Sequence, residues 1–303
     1  MRARPGPRLL LAIPALVLGV ALHPALAVDV SSLWDFHHPA LSEARFREAL
    51  AQAGPDDRLI LTTQIARTYG LRGQFGEARR ILAEIESGAE HGSPEVRVRW
   101  ALEWGRTLAS AAHDAQSETA DNLLQARAQY LHAYDMARAS GLDALAIDAL
   151  HMMAFVDTKP AEQLGWDETA LRLALSSRQA DARRWEGALR NNIGYALHEL
   201  GRYDEALAEF EQALALYQKR GDPEAIRAAR WMVAWTLRAL NRPDEALAIQ
   251  LELETECEAA GSPDADVLEE LENVLEELEI LYRQRGDGAR ADVYAARRRS
   301  LGG

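Results

Sequence analysis

Two stretches of this chain share one spacing: Gly73-Gln-Phe-Gly-Glu-Ala-Arg-Arg-Ile-Leu-Ala-Glu-Ile85 and Gly201-Arg-Tyr-Asp-Glu-Ala-Leu-Ala-Glu-Phe-Glu-Gln-Ala213. In both, a small residue, Ala66 or Gly194, precedes the glycine by seven positions. A glycine can end a helix in the left-handed conformation, and alanines allow two helices to cross closely. The spacing therefore predicts a helical hairpin. Because one hairpin cannot bury its apolar face alone, the hairpins should stack into an all-α solenoid.

This pattern resembles the tetratricopeptide repeat (TPR). The clean copies span residues 59–92 and 187–220, and weaker copies span 227–261 and 264–299. In the first weak copy Asn241 stands at the turn position, where asparagine also accepts left-handed geometry. The last copy has Glu279 where a small residue is expected, as is common in terminal repeats. The resemblance implies a right-handed superhelical solenoid.

Irregular hairpins fill the space between the clean copies. One should pair residues 94–112 with 122–140, and the other should pair 143–157 with 161–177. With them the solenoid has about six hairpins over residues 42–300, beginning with a lone helix near 42–53 and preceded by an N-terminal segment, 28–41. The stretch Ala149-Leu-His-Met-Met-Ala154, with Trp166, Trp185 and Asn191-Asn192, resembles a group of bacterial TPR proteins of unassigned activity.

Residues 1–27 have the features of a cleavable signal peptide. Arg2, Arg4 and Arg8 precede the apolar run Leu9–Leu22, and Ala25-Leu26-Ala27 offers a cleavage site of small residues. The run is short for a membrane-spanning helix. We expect export to the periplasm or secretion, and contact with a membrane only if this segment stays uncleaved as an anchor.

Composition narrows the range of partners. The full chain has 34 basic and 47 acidic side chains and a net charge of −13, which becomes −16 when residues 1–27 are removed. An acidic chain does not favour nucleic acid as a partner. The only cysteine, Cys257, should be a buried small residue, and neither His37-His38 nor the acidic helix 264–285 has the geometry of a metal site. We therefore expect no metal and no cofactor.

The first helices of successive hairpins should line the concave face of the solenoid. Residues three before and one after each small residue then share one stripe. In five successive hairpins these pairs are Thr63 and Arg67, Leu102 and Arg106, His151 and Phe155, Asn191 and Tyr195, and Trp231 and Trp235. The stripe continues through His198, Arg227 and Arg238. The expected peptide-binding residues are Arg67, Arg106, His151, Phe155, Asn191, Tyr195, His198, Trp231, Trp235 and Arg238.

Such a mixture of rings, amides and arginines suits an extended peptide. Aromatic rings provide apolar area, asparagines can pair with a peptide backbone, and the arginines could hold a carboxylate. The sequence lacks the motifs of common hydrolases and nucleotide-binding enzymes. It favours a non-catalytic scaffold that binds a protein or peptide segment. The alternative is an enzyme, or an accessory domain of one, that acts on cell-wall glycan or peptide. The oligomeric state is left open.

Overall fold

The computed structural model describes residues 28–113, 119–260 and 265–301, and in these ranges every regular element is helical. A 3₁₀ turn, Val30–Leu33, comes first. The helices that follow are α1 (Pro39–Ala49), α2 (Pro55–Leu71), α3 (Phe75–His91), α4 (Pro94–Arg106), α5 (Ala120–Ala139), α6 (Asp143–Met153), α7 (Pro160–Ser176), α8 (Ala180–Arg184), α9 (Glu186–Glu199), α10 (Tyr203–Arg220), α11 (Pro223–Ala239), α12 (Pro243–Ala260), α13 (Ala265–Gln284) and α14 (Gly288–Leu301).

Neighbouring helices pair into hairpins that stack in chain order. Over the described ranges the six pairs are α2 with α3, α4 with α5, α6 with α7, α9 with α10, α11 with α12, and α13 with α14. Each second helix also packs on the helix that follows it, except that α7 meets α9 across the short α8. The predicted all-α, TPR-like solenoid is therefore confirmed.

The turns inside the hairpins have the geometry that the repeat requires. Gly73 and Gly201 have φ angles of 70° and 72°, and Asn241 has a φ of 58°. These values lie in the left-handed region, which glycine enters without a steric penalty and asparagine enters more readily than most residues. The expected replacement of a turn glycine by Asn241 is confirmed.

In each of two hairpins the two helices approach closely because a glycine on the first helix faces an aromatic ring on the second. A Cβ atom on Gly194 of α9 would lie 2.7 Å from Cε1 of Phe210, and one on Gly105 of α4 would lie 2.6 Å from Cε1 of Tyr130. Both rings belong to the second helix of the same hairpin and are fully buried. The ring therefore fills the space that a side chain at the glycine position would occupy.

Several helix boundaries differ from the predicted ones. Helix α1 begins at Pro39, so the predicted limit between residues 41 and 42 falls inside it; proline is favoured in the first turn of a helix. Helix α4 ends at Arg106 rather than at 112, and α6 ends at Met153 rather than at 157. Helix α8 was not predicted, because five residues show no helical period.

The predicted signal peptide, residues 1–27, lies outside the described residues. Among the residues that are described, no helix is long and apolar enough to cross a membrane. Cys257 is 4% exposed and has a free thiol, as the sequence indicated.

Candidate functional site

The first helices of the hairpins meet along one side of the solenoid, which we call the inner face. Contacts between their side chains define it. Arg67 of α2 faces Glu103 of α4 and Asp148 of α6. Further along, Asn192 of α9 contacts His151 of α6. The other contacts link α9 to α11 through His198 and Trp235, and α11 to α13 through Arg238 and Glu277. All ten predicted site residues lie on these first helices or, for Phe155, directly after one.

Four rings from α9 and α11 form an aromatic stack. Trp235 lies at its centre, with its ring centroid 3.3 Å from His198, 5.8 Å from Tyr195 and 5.9 Å from Trp231, all in stacked orientation. Tyr195 is 44% exposed, whereas Trp231 packs partly into the core of the fourth to sixth hairpins. The stack thus has an anchored end at Trp231 and an exposed end at Tyr195.

His198 is neutral within the stack. Burial, together with the positive charge of Arg238, lowers the pKa of His198 to about 4. Its Nε2 atom is buried and has no hydrogen-bond partner among the described residues. The imidazole therefore serves as a flat ring in the stack and not as a cation near neutral pH.

A cluster of four charged side chains lies at the other end of the inner face. Arg106 donates from Nη1 to Oε1 of Glu103 over 2.6 Å and from Nη2 to Oδ1 of Asp148. Arg67 is farther away, with Nη1 at 3.7 Å from Oε1 of Glu103 and 3.9 Å from Oδ2 of Asp148. These residues, with His151 and others, line a cavity of about 210 Å³.

Burial sets the ionisation of this charged cluster, because charges that leave water need partners. Burial opposes the charge on Asp148, but Arg106 and Arg67 hold the pKa of its carboxyl below the ordinary value. Burial, with the like charge of Arg106, lowers the pKa of Arg67. Burial also lowers the pKa of His151, against the effect of Asp148. The cluster is thus two cations and two anions that balance one another.

A polar chain of contacts connects this cavity with a buried acid. Nδ2 of Asn192 lies 3.2 Å from Nδ1 of His151, and Asn192 also hydrogen-bonds the carboxylate of Asp167 on α7. Asp167 is 1% exposed, and its Oδ1 atom has no partner among the residues described. Burial raises the pKa of Asp167 to about 7, against the hydrogen bond from Asn192. Asp167 therefore titrates near neutral pH without direct access to the cavity.

Replacing Asp167 with asparagine should stabilise the protein in alkaline solution by about 1–3 kcal/mol. The carboxyl titrates near pH 7 in the folded chain and near 3.8 ordinarily, so the folded state holds its proton more tightly. Stability therefore falls as pH rises from about 4 through 7, and the amide removes that loss. Urea unfolding of the wild type and of Asp167→Asn at pH 4 and pH 8 measures this difference in stability. An equal effect of the substitution at both values would contradict the buried titration.

The structure modifies the predicted role of three arginines. Arg238 pairs with Glu277 through two hydrogen bonds of 2.7 and 2.8 Å, and Arg227 pairs with Glu270 at 2.7 Å. Arg106 is paired as described above. A ligand carboxylate would therefore have to compete with carboxylates of the chain itself. This arrangement favours uncharged contacts over the predicted binding of a ligand carboxylate.

The stripe rule places some residues correctly and others not. Thr63 and Leu102 occupy the predicted positions but are buried, because α2 and α4 pack more closely than the later first helices do. Asn191 is half-buried, and Phe155 contacts His151 edge-on at 5.4 Å. The positions one residue after the small residue reach the inner face more consistently.

Sequence reasoning missed the acidic members of the inner face. These are Glu103, Asp148, Glu270 and Glu277. The buried Asp167 on α7, behind this face, was missed as well. A signal for two of them exists: Glu103 and Asp148 lie three positions before Arg106 and His151, hence on the same helix face. Trp185, whose ring centroid lies 5.4 Å from that of His151, also lines the cavity. In the part of the chain that is described, no group of three or more histidine, cysteine, aspartate and glutamate side chains could hold a metal ion.

Comparison with known proteins agrees with the helical-repeat class. The model of the tetratricopeptide repeat family matches residues 185–253, which include the clean fourth hairpin. No curated protein sequence matches the chain.

Solved structures extend the likeness along the chain. The apo form of RapI superposes with a TM-score of 0.66 at 11% identity, over 90% of this chain and 73% of that one. The apo form of the quorum sensor NprR from B. thuringiensis superposes with a TM-score of 0.53 at 15% identity, over 91% of this chain and 83% of that one. A STAND signal transduction ATPase with a tetratricopeptide repeat sensor, from Pyrococcus horikoshii, superposes with a TM-score of 0.62 at 12% identity, over 86% of this chain. Our chain spans only 38% of that protein. At such identities the likeness shows the fold alone.

Proposed function

We propose that this protein is a non-catalytic scaffold that binds an extended peptide or protein segment along its inner face. The aromatic stack carries the proposal, because it presents an exposed Tyr195 ring continuous with anchored tryptophan rings. Rigid aromatic rings provide binding area at a small cost in conformational entropy. The solved complex of NprR with its cognate peptide NprX, with a TM-score of 0.51 to this chain, is a precedent for peptide binding by this fold.

The charged cavity supports binding rather than catalysis. A general acid or base needs a titrating group that can reach the substrate. The carboxylates that line the cavity, Glu103 and Asp148, are tied to arginines, and Asp167, which titrates near neutral pH, is buried outside it. The inner face therefore offers contacts more readily than proton transfer.

Selection of random 12-residue peptides on the chain 28–303, followed by fluorescence anisotropy, tests this function. Tyr195→Ala should weaken the selected peptides about tenfold or more, because exposed aromatic rings at binding surfaces are frequent hot spots. Leu175→Ala on α7 is the matched control, since Leu175 is also exposed (53%) but is not among the inner-face residues. Unchanged affinity in Tyr195→Ala, or failure to select any peptide, would refute the proposal.

Export is part of the proposal and rests on the sequence of residues 1–27. In a Gram-negative host the full chain should appear in the periplasm, with Val28 as its first residue after cleavage behind Ala27. Fractionation and N-terminal sequencing measure both. A chain that stays in the cytoplasm with its arginine-rich start intact would remove this part of the proposal and leave peptide binding untouched.

A further inference from the structure

The charged cavity of about 210 Å³ lies where the first helices of three hairpins end. Helix α2 ends at Leu71, α4 at Arg106 and α6 at Met153. Leu71, Arg106 and Met152 are among the residues that line the cavity. The carboxyl end of a helix carries partial negative charge, which attracts a cation. This part of the inner face therefore favours a positively charged group on a ligand.

Two charged side chains that line the cavity retain unused hydrogen-bonding atoms. Glu103 is 3% exposed; its Oε1 atom accepts from Arg106, but its Oε2 atom has no partner among the residues that the structure describes. Nε of Arg67 also lacks a partner among them, and its Nη1 lies 3.7 Å from Glu103 and 3.9 Å from Asp148, too far for hydrogen bonds. Because buried polar groups are nearly always paired, these atoms point to a ligand that carries both a donor and an acceptor.

Arg67 is held in place although its hydrogen bonds are not made. Its Cζ atom lies 5.5 Å from the Trp34 ring and 5.4 Å from the Phe36 ring, within the range of cation–π attraction. Rings provide no acceptor oxygen, whereas the three arginines discussed above each have a carboxylate of the chain within hydrogen-bond distance. Among the described arginines of the inner face, Arg67 is thus the best placed to bind the carboxylate of a ligand.

The rest of the cavity wall is largely aromatic. The rings of Phe155 and Trp185 each lie 5.4 Å from the ring of His151, and all three line the cavity. A protein cavity of about 150 Å³ holds benzene. The larger volume of about 210 Å³ therefore admits a branched or aromatic side chain together with a small polar head group.

We propose that the charged cavity binds a free α-amino acid with an apolar side chain, of the size of leucine or phenylalanine. Its ammonium group pairs with Glu103, its carboxylate pairs with Arg67, and its side chain packs against Phe155 and Trp185. The four charged residues of the cluster sum to zero charge, which matches a zwitterion better than a ligand with a net charge. The aromatic stack does not line this cavity, so the inference does not rest on the proposed peptide binding.

Isothermal titration calorimetry of the chain 28–303 with L-leucine and with L-phenylalanine tests the inference. The N-acetyl derivative of the tighter-binding amino acid lacks the ammonium group, and its amide lacks the carboxylate. Each derivative should bind at least tenfold more weakly, because each loses a hydrogen-bonded charge. No binding of either amino acid at millimolar concentration would overturn the inference. Equal binding of the amide would assign the cavity to the amino-terminal residue of a peptide and would overturn it too.

Two substitutions locate the binding in this cavity. Gly70 lines it, and a Cβ atom there meets nothing within 4 Å, so the side chain of Gly70→Leu should occupy part of the space. Gly70→Leu and Arg67→Met should each weaken amino acid binding at least tenfold. The melting temperature of Gly70→Leu should not fall below that of the wild type, because leucine has a higher helix propensity than glycine.

Matched controls are available for both substitutions. Gly165→Leu changes another helical glycine whose Cβ would meet nothing within 4 Å. Arg227→Met removes another inner-face arginine, whose side chain is 19% exposed against 23% for Arg67, and which does not line this cavity. Both controls should bind the amino acid like the wild type. Wild-type affinity in Gly70→Leu and Arg67→Met as well would overturn the inference.

Tyr195→Ala separates this inference from the proposed function. It should weaken the selected peptides but leave the affinity for the amino acid unchanged. If selected peptides bind and no amino acid does, only the inference fails. If an amino acid binds and no peptide can be selected, only the proposed peptide binding fails.

Discussion

Arg106→Met is expected to lower the free energy of unfolding by about 3–5 kcal/mol at pH 7. Arg106 is the principal partner of both Glu103 and Asp148, and all three side chains are at least nine-tenths buried. Methionine fills similar space but leaves two carboxylates in the interior with only Arg67, at 3.7 and 3.9 Å, to balance them. Urea unfolding followed by circular dichroism measures the loss.

Controls separate this buried cluster from ordinary surface charge. Arg80→Met also removes an arginine with two acidic partners, Glu77 and Glu84, but its side chain is 55% exposed, so we expect little change in the free energy of unfolding. Adding Asp148→Asn to Arg106→Met should recover part of the loss, because one unpaired buried charge is removed. Equal effects of the Arg106 and Arg80 substitutions would show that the cluster is not buried as described.

Phe210→Ala is expected to lower the free energy of unfolding by about 3–5 kcal/mol. The destabilisation caused by Gly194→Ala should be smaller when it is combined with Phe210→Ala than when it is made alone. Phe210 is fully buried, and its ring lies where a Cβ on Gly194 would be. In Gly194→Ala alone, the added methyl group forces the ring to move, which destabilises the protein by about 1–3 kcal/mol. The higher helix propensity of alanine offsets up to about 1 kcal/mol of this loss. In the double variant the methyl group enters the space that the ring has left.

A double-mutant cycle measures this coupling, which should be between about 0.5 and 3 kcal/mol. Gly165→Ala is the matched control, since Gly165 is also inside a helix but a Cβ there meets nothing within 4 Å. That variant should be neutral or slightly more stable. Strict additivity of Gly194→Ala and Phe210→Ala would show that the two residues do not face each other, and the register of the fourth hairpin would be wrong.

The hairpin architecture could be predicted because its requirements are local. A left-handed turn at Gly73, Gly201 or Asn241 is decided by the residue that stands there. The small residues that allow helices to cross, such as Gly194, lie at a fixed distance from those turns. Short or irregular pieces were less predictable: α8 and the early end of α4 depend on how hairpins of unequal length are joined.

The candidate site could be predicted only in part. Arg67, Tyr195 and Trp235 reach the inner face because their positions follow from helical spacing within one hairpin. Spacing alone did not show that Asp148 would pair with Arg106, 42 positions away, or that Glu277 would pair with Arg238.

By itself the sequence determined that this chain forms helical hairpins, where most of them turn, and which side of each first helix faces inward. Only the tertiary structure decided which charges neutralise one another, why Asp167 titrates near neutral pH, and that Arg67 lies over the Phe36 ring while His37 lies 3.5 Å from Glu224. The physical reason is the distance along the chain over which each interaction acts. Turn geometry and helix crossing act within a few residues, whereas burial and charge pairing depend on which helices the stacked solenoid brings together.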